Sequence, residues 1–208
     1  MESKERILSK AEELFMQFGI RSVSMDDIAQ HLGISKKTIY HSFADKNELV
    51  DAVIEKDLNI RQHDCKHCSE KALNAVHEIF SMMENLMEQF QHMNPVVVYD
   101  LEKFHFKSFK KFMAFKNQFL MDMIRHNLEW GIKEGLYRED INVDVISRFR
   151  LESMMLPFDI NIYPPAKFNL ASIIQEIIQH FVYGIVTIKG YKMAQKYSLQ
   201  MKNSIQKN

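Results

Sequence analysis

Glycine and proline are scarce in this 208-residue chain, at six and four. Both residues interrupt regular elements, so their scarcity beside helical periodicity argues for an all-α fold. Cysteine is scarcer still. The two present, Cys65 and Cys68, fall in one short stretch and give no disulfide framework. Neither charge sign is in excess, with Lys plus Arg and Asp plus Glu at 27 each, which excludes a global basic field. Any nucleic-acid contact must come from a local patch. No apolar run reaches the roughly 18 residues of a membrane span, and the charged opening MESKERILSK lacks a signal-peptide pattern. A cytoplasmic protein without membrane contact is therefore expected.

The common catalytic arrangements are missing too. No nucleophile–base pattern, paired carboxylates or glycine-rich phosphate loop is evident, so no catalytic residue or cofactor is expected. His63, Cys65, His67 and Cys68 superficially resemble a metal constellation. Four ligands within six residues cannot easily surround one ion without a second element, so no metal site is assigned. Residues 61–69 read as a polar linker.

What is present is concentrated in residues 24–46, SMDDIAQHLGISKKTIYHSFADK. Ser24 followed three residues later by Asp27 is a helix start, because hydroxyl and carboxylate can answer orphan backbone amides at the positive helix end. Ile28, Ala29 and Leu32 mark the inward face of a two-turn helix, which Gly33 ends by supplying φ > 0. Ile34 plugs the turn and Ser35 caps a second helix. This stop, turn and restart within three residues describes a helix-turn-helix. At about 100° per residue, with Ile39 facing inward, Lys37 and His41 fall opposite and Thr38 and Tyr40 on the flanks. That outer face carries no acid and suits phosphate oxygens and base edges. Residues 33–46 hold three lysines against one acid, a local charge of +2.

The segment GISKKTIYHSFADKNEL resembles the recognition segment of the TetR family of transcriptional regulators. The pattern is carried by Gly33, Ile34, Ser35, Thr38, Ile39, Tyr40, Phe43, Lys46, Glu48 and Leu49, with departures at Lys37 and Ser42. The resemblance implies an N-terminal three-helix helix-turn-helix head (residues 1–46) on a larger helical ligand-binding and dimerisation domain (residues 47–208). Its first helix is residues 4–18, with Ile7, Leu8, Ala11, Leu14, Phe15 and Phe18 as one apolar stripe closed by Gly19. Val23 is expected beneath the next two helices.

Asp45 and Glu48 repeat the capping spacing and open a fourth helix, with Leu49, Val50, Val53, Ile54 and Leu58 inward. Further helices are expected from 69 to just before Asn94–Pro95, over about 104–135, over 142–156 and over 169–189. A last helix after Gly190 would end in a polar tail. Fourteen Met and fifteen Phe, mostly in the body, sit at helical spacing.

These readings predict a homodimeric, sequence-specific DNA-binding regulator, most often a repressor in this family, that responds to an apolar small-molecule effector. Lys37, Thr38, Tyr40 and His41 are expected to face the groove of a palindromic double-stranded operator, with Ser24, Ser35, Lys36 and Lys46 near phosphates. Met83, Met87, Phe90, Tyr99, Phe112, Phe119 and Trp130 are the candidate ligand contacts. Paired apolar residues along 169–189 predict a dimer seam at Ile174, Ile178, Phe181, Val182 and Ile185. A helical enzyme, or an interaction module without DNA binding, is the alternative. Acids on the second helix of the motif would favour the latter, and none is there.

Overall fold

Side chains acting on their own helix starts delimit the second, third and fourth helices of this computed structural model, which describes residues 3–91 and 93–205. Helix α1 (Ser3–Phe18) buries Ile7, Ala11, Leu14 and Phe15 but leaves Phe18 half exposed. At α2 (Met25–Leu32) the capping box is complete: Ser24 Oγ accepts from Asp27 N at 3.1 Å, and the Asp27 carboxylate accepts from Ser24 N at 2.8 Å. Gly33 closes α2 at φ 65°, where an L side chain would be strained. Helix α3 (Lys36–Ser42) starts at Ser35, whose hydroxyl accepts from Thr38 N. Helix α4 (Lys46–Lys71) is capped by Asp45, while Glu48 reaches back to accept from Ala44 N at 2.6 Å. Ile7, Ile20, Ile28, Ile39, Phe43 and Leu49 are essentially fully buried among these helices. Each such side chain stabilises by roughly 1.5–3 kcal/mol.

The body follows with α5 (Ala75–Phe90), α6 (Val96–Phe104), α7 (Phe106–Ala114), a π-helical turn (Phe115–Leu120) and α8 (Met121–Lys133). Then come α9 (Val143–Ser153), a 3-10 turn (Leu156–Phe158), α10 (Leu170–Ile185) and α11 (Ile188–Ile205). Among the described residues the sole β pairing is an isolated bridge between Tyr137 and Val186. A second apolar core gathers α5, α8, α10 and α11 around Val76, Met83, Leu128, Tyr137, Ile178 and Val182.

Several sequence expectations change, among them the helix expected from 69, which starts at Ala75. Residues 61–69 are not a linker but the last turns of α4. Their polar composition reflects a helix with little apolar surface, and the break comes at Ala72 and Leu73 instead. The expected single run over 104–135 is interrupted at His105 (φ −130°, ψ 59°), so residues to Phe104 belong to α6. Helix α10 stops at Ile185 because Arg138 N donates to Ile185 O and Thr187 N to Leu136 O, both at 2.9 Å. These bonds draw Val186 into extended backbone, and α11 starts again at Ile188, before Gly190. The end of the predicted polar tail, residues 206–208, lies outside the described residues.

The two cores meet at Met93, which lies just before α6 and packs against both. Val97 and Leu101 join the core of α1–α4, and Asn94 N donates to Met16 O at 2.7 Å. Arg21 N donates to the buried Asp100 carboxylate at 2.8 Å. Gly19, at φ 86°, allows that approach: a Cβ there would sit 3.2 Å from the same Asp100 oxygen. Farther along α4, Asp51 binds Lys107 and Lys111 of α7 at 2.8 and 3.0 Å.

Candidate DNA interface and interior cavity

The outer face of α3 is set by one buried residue. Ile39 is fully inside, which turns Lys37, Tyr40 and His41 outward, and none of the three makes a side-chain hydrogen bond or salt bridge among the described residues. Tyr40 is 44% exposed. The other five residues expected at DNA are placed differently. Ser24 is engaged in the capping box, and Ser35 shares its hydroxyl with Thr38 N and with Thr38 Oγ1 at 2.8 Å. Ser24, Ser35 and Thr38 are therefore committed to local structure first. Lys36 reaches Asp26 at 2.9 Å. That pair is exposed on both sides, so it holds weakly and leaves the ammonium available.

Lys46 departs most from expectation. Its ammonium donates to Ile20 O at 2.6 Å and lies 5.9 Å from the centre of the Phe15 ring. Partial burial pulls its pKa below the ordinary lysine value, with Asp100 and Asp27 opposing. This lysine stitches the loop after α1 to the start of α4. Beside it, His105 Nδ1 is buried without a partner, and burial and Lys46 lower that imidazole's pKa.

Inside the body lies a cavity of about 210 Å³, far larger than ordinary packing voids. Its walls come from α4, α5, α6, α7, the π turn, α8, α9, the 3-10 turn and α10, with Met16 of α1. Helix α4 contributes from Ile54 to Cys68, and Ile54 also belongs to the core shared with the head. The π turn, whose wider coil often marks functional positions, brings Phe115, Lys116 and Leu120 to the wall. Of the expected ligand contacts, Phe90 and Phe112 line this space. Met83 and Met87 pack in the second core, as does Trp130, without lining the cavity. Tyr99 is exposed on α6, and Phe119 lines a shallower groove beside α4. The aromatic and methionine pattern thus located the region, but only two of its residues.

That reading also missed the polar residues of the lining. Glu78 on α5 is buried and accepts from Asn127 Nδ2 at 2.5 Å, while Asn127 Oδ1 accepts from Tyr137 Oη at 3.0 Å. Lys116 binds both oxygens of Glu152, at 2.9 and 2.8 Å. Arg61 donates to Asp57 at 2.7 Å and to Gln89 at 2.9 Å, stacking over Phe90. Cys65 and Cys68 also line the space, and burial pushes the Cys65 thiol up to about 11. It is a neutral thiol near pH 7, not a nucleophilic thiolate. His63 and His67 stack on each other elsewhere on α4. The described residues contain no group of three or more His, Cys, Asp or Glu arranged to hold a metal ion.

The expected dimer seam is corrected. Ile174, Ile178, Phe181, Val182 and Ile185 are all at least nine-tenths buried within this one chain, with Val182 completely enclosed. They form the face of α10 packed inward, and Ile174, Ile178 and Phe181 also line the cavity. The apolar side chains left outside are others: Val145 and Phe149 on α9, Tyr183 on α10, and Ile188 and Tyr191 on α11.

The family model described as "Bacterial regulatory proteins, tetR family" matches residues 7–53, which span α1 to the first turns of α4. An HTH-type transcriptional repressor of Mycobacterium tuberculosis, KstR2, is 30% identical over 148 residues, covering 69% of this chain and 73% of that protein. An uncharacterised HTH-type transcriptional regulator of Bacillus subtilis, YvaF, is 25% identical over 190 residues, 87% of this chain and 94% of its own length. Among solved structures, the regulator FadR of Bacillus subtilis in complex with stearoyl-CoA superposes with a TM-score of 0.63 at 13% identity, covering 87% of this chain and 98% of FadR. No helix among the described residues is long and apolar enough to cross a membrane. With its capped helix-turn-helix on a larger helical body, the chain belongs to the TetR family and is a DNA-binding transcriptional regulator.

Proposed function

We propose that the chain is a cytoplasmic homodimer, with a head of residues 1–46 and a body of residues 47–208, that represses transcription from a palindromic operator until a small molecule with an apolar body enters the cavity. The observation that carries this reading is the course of α4. Its first turns sit in the core of the head, and its later turns form a wall of the cavity. A ligand that widens the cavity pushes on a helix that is stiff along its axis. The clamps at Asp51 and Lys46 limit how the head can follow. Effector and operator are then coupled through two arrangements of one body.

On DNA, Lys37, Tyr40 and His41 read base edges in the major groove, and Lys36 meets a phosphate after leaving Asp26. Ser24, Ser35 and Thr38 position the helices; the Ser24 hydroxyl donates to Asp27, and Ser35 and Thr38 keep one O–H hydrogen between them that donates to a phosphate oxygen. The dimer seam comes from the exposed apolar residues Val145, Phe149, Tyr183, Ile188 and Tyr191. That pairing sets two α3 helices roughly 34–36 Å apart, one turn of the duplex. Two neighbours support an inducible regulator: FadR was solved with stearoyl-CoA, and a regulator from Saccharomonospora viridis with choline. No acid occupies the outer face of α3, so nothing favours an interaction module that has lost DNA binding.

A gel-shift series with duplexes tiling the DNA that flanks its own gene tests the reading. One duplex should be retarded at nanomolar protein, and its symmetric halves should both be required. Uniform weak retardation of every duplex would contradict a sequence-specific regulator.

A further inference from the structure

The cavity is apolar apart from a few charged side chains, and all but one of these are answered. Arg61 has Asp57 and Gln89, Lys116 has Glu152, Asp64 accepts from Gln89 Nε2 at 3.1 Å, and Glu78 accepts from Asn127. Arg150 is the exception. It sits on the cavity wall from α9, is 8% exposed, and no hydrogen-bond acceptor or carboxylate reaches its guanidinium among the described residues. Its guanidinium carbon lies 5.2 Å from the centre of the Phe181 ring.

Burial alone lowers its pKa, to about 10, and no opposing charge acts on it. The side chain is therefore still a cation at neutral pH. A guanidinium brings five N–H donors into an environment where unanswered polar groups are costly. The ring face offsets part of that cost through its quadrupole and accepts no in-plane hydrogen bond. Arginine's planar fork matches the two oxygens of a carboxylate or the oxygens of a phosphate. A buried, unpaired arginine beside an open apolar space is thus half of an ion pair.

We propose that the effector is an amphipathic anion whose apolar body lies among Leu86, Phe90, Met123, Phe158 and Ile178 and whose carboxylate or phosphate head pairs with Arg150. This rests on the reading of the cavity as the effector site and adds a charge requirement to it. It also assigns Arg150 a role that local packing does not explain, since an apolar side chain of similar volume would fill the same place without the desolvation cost.

The test is calorimetric titration of the full-length protein with decanoate, decyl phosphate and decan-1-ol, whose tails match and whose heads differ. The unmodified protein should bind at least one of the two anions about 10–100-fold more tightly than the alcohol, the range expected for a charge-assisted hydrogen-bonded pair. A preference for decanoate assigns a carboxylate head, and one for decyl phosphate a phosphate head. Arg150→Met should bind all three within about threefold of one another and keep the alcohol affinity. Unliganded, it should unfold a few degrees higher than the unmodified protein, because an unpaired buried charge has gone. Arg150→Gln, which keeps a neutral polar head, should also lose the anion preference and guards against an effect peculiar to the Met variant. Equal binding of alcohol and anions by the unmodified protein would overturn the inference and leave the cavity as an apolar effector site. Anion preference persisting in both variants would overturn the role of Arg150. Failure of all three compounds to bind would overturn the inference together with the reading of the cavity.

Discussion

The head and the body treat burial in opposite ways. In α1–α3 the interior is filled by Ile7, Ile28, Ile39 and Phe43, and the reactive groups Lys37, Tyr40 and His41 stand outside without side-chain hydrogen bonds or salt bridges among the described residues. The body leaves an interior space unfilled and brings its charged groups to the walls of that space. A small domain that docks on a rigid duplex gains from pre-set geometry, so its polar groups are spent on caps that fix the α3 axis. A domain that must change when a molecule enters gains from a void and from groups whose partners are incomplete. What looks like imperfect packing in α4–α10 is therefore the part of the molecule free to respond.

Substitutions at α10 and α9 sharpen this contrast most strongly. Val182→Glu puts a charge into the completely enclosed face of α10. A loss on the order of 4 kcal/mol or more is expected, enough to abolish cooperative thermal unfolding. Phe149→Glu, on the exposed side of α9, should leave the unfolding transition in place while sedimentation shows monomers. If Val182→Glu gave folded monomers and Phe149→Glu left the dimer intact, the inward and outward faces would be assigned the wrong way round.

Lys46→Ala should break the stitch between Ile20 and α4, with a cost of about 1 kcal/mol seen as a lower melting temperature. The salt dependence of its DNA binding should stay as in the unmodified protein, because this ammonium points inward. A salt slope reduced by about one unit would instead make Lys46 a phosphate contact. Gly33→Ala should cost roughly 1 kcal/mol or slightly more through backbone strain alone, since a Cβ there meets nothing within 4 Å.

The smallest effect is one of pH. Hydrogen bonds from Ser24 hold the Asp27 pKa below its ordinary value of 3.8. The capping box therefore stabilises the head fully above that value and loses its contribution as pH falls through the lower folded pKa. Asp27→Asn should remove that part of the acid dependence in circular dichroism. An unchanged acid limb would mean the box adds nothing to head stability.

The head was legible in sequence because its signals are local. Ser24 with Asp27, Ser35, Asp45 with Glu48, and Gly33 each act within four residues, and all appear as read. The body's signals are not local. Residues 61–69 read as a linker because a helix half in solvent and half against a cavity shows no clean apolar period. The stop of α10 depends on backbone bonds from Leu136 and Arg138, some fifty residues upstream, and no residue at Val186 announces it. Both faces of α10 are apolar enough to seem a seam, and only the position of α5 decides which is inward. Arg150 on a mixed helix looks like any surface arginine until its surroundings are known.

The central claim is that the outer face of α3 reads DNA, and fluorescence anisotropy with the duplex retarded in the gel shift tests it most directly. Tyr40→Ala and Lys37→Ala should each weaken binding to that duplex by about 10-fold or more, in line with about 1–3 kcal/mol for a groove contact, while leaving weak binding to unrelated duplexes nearly unchanged. Operator affinity unaffected by both substitutions would contradict the account.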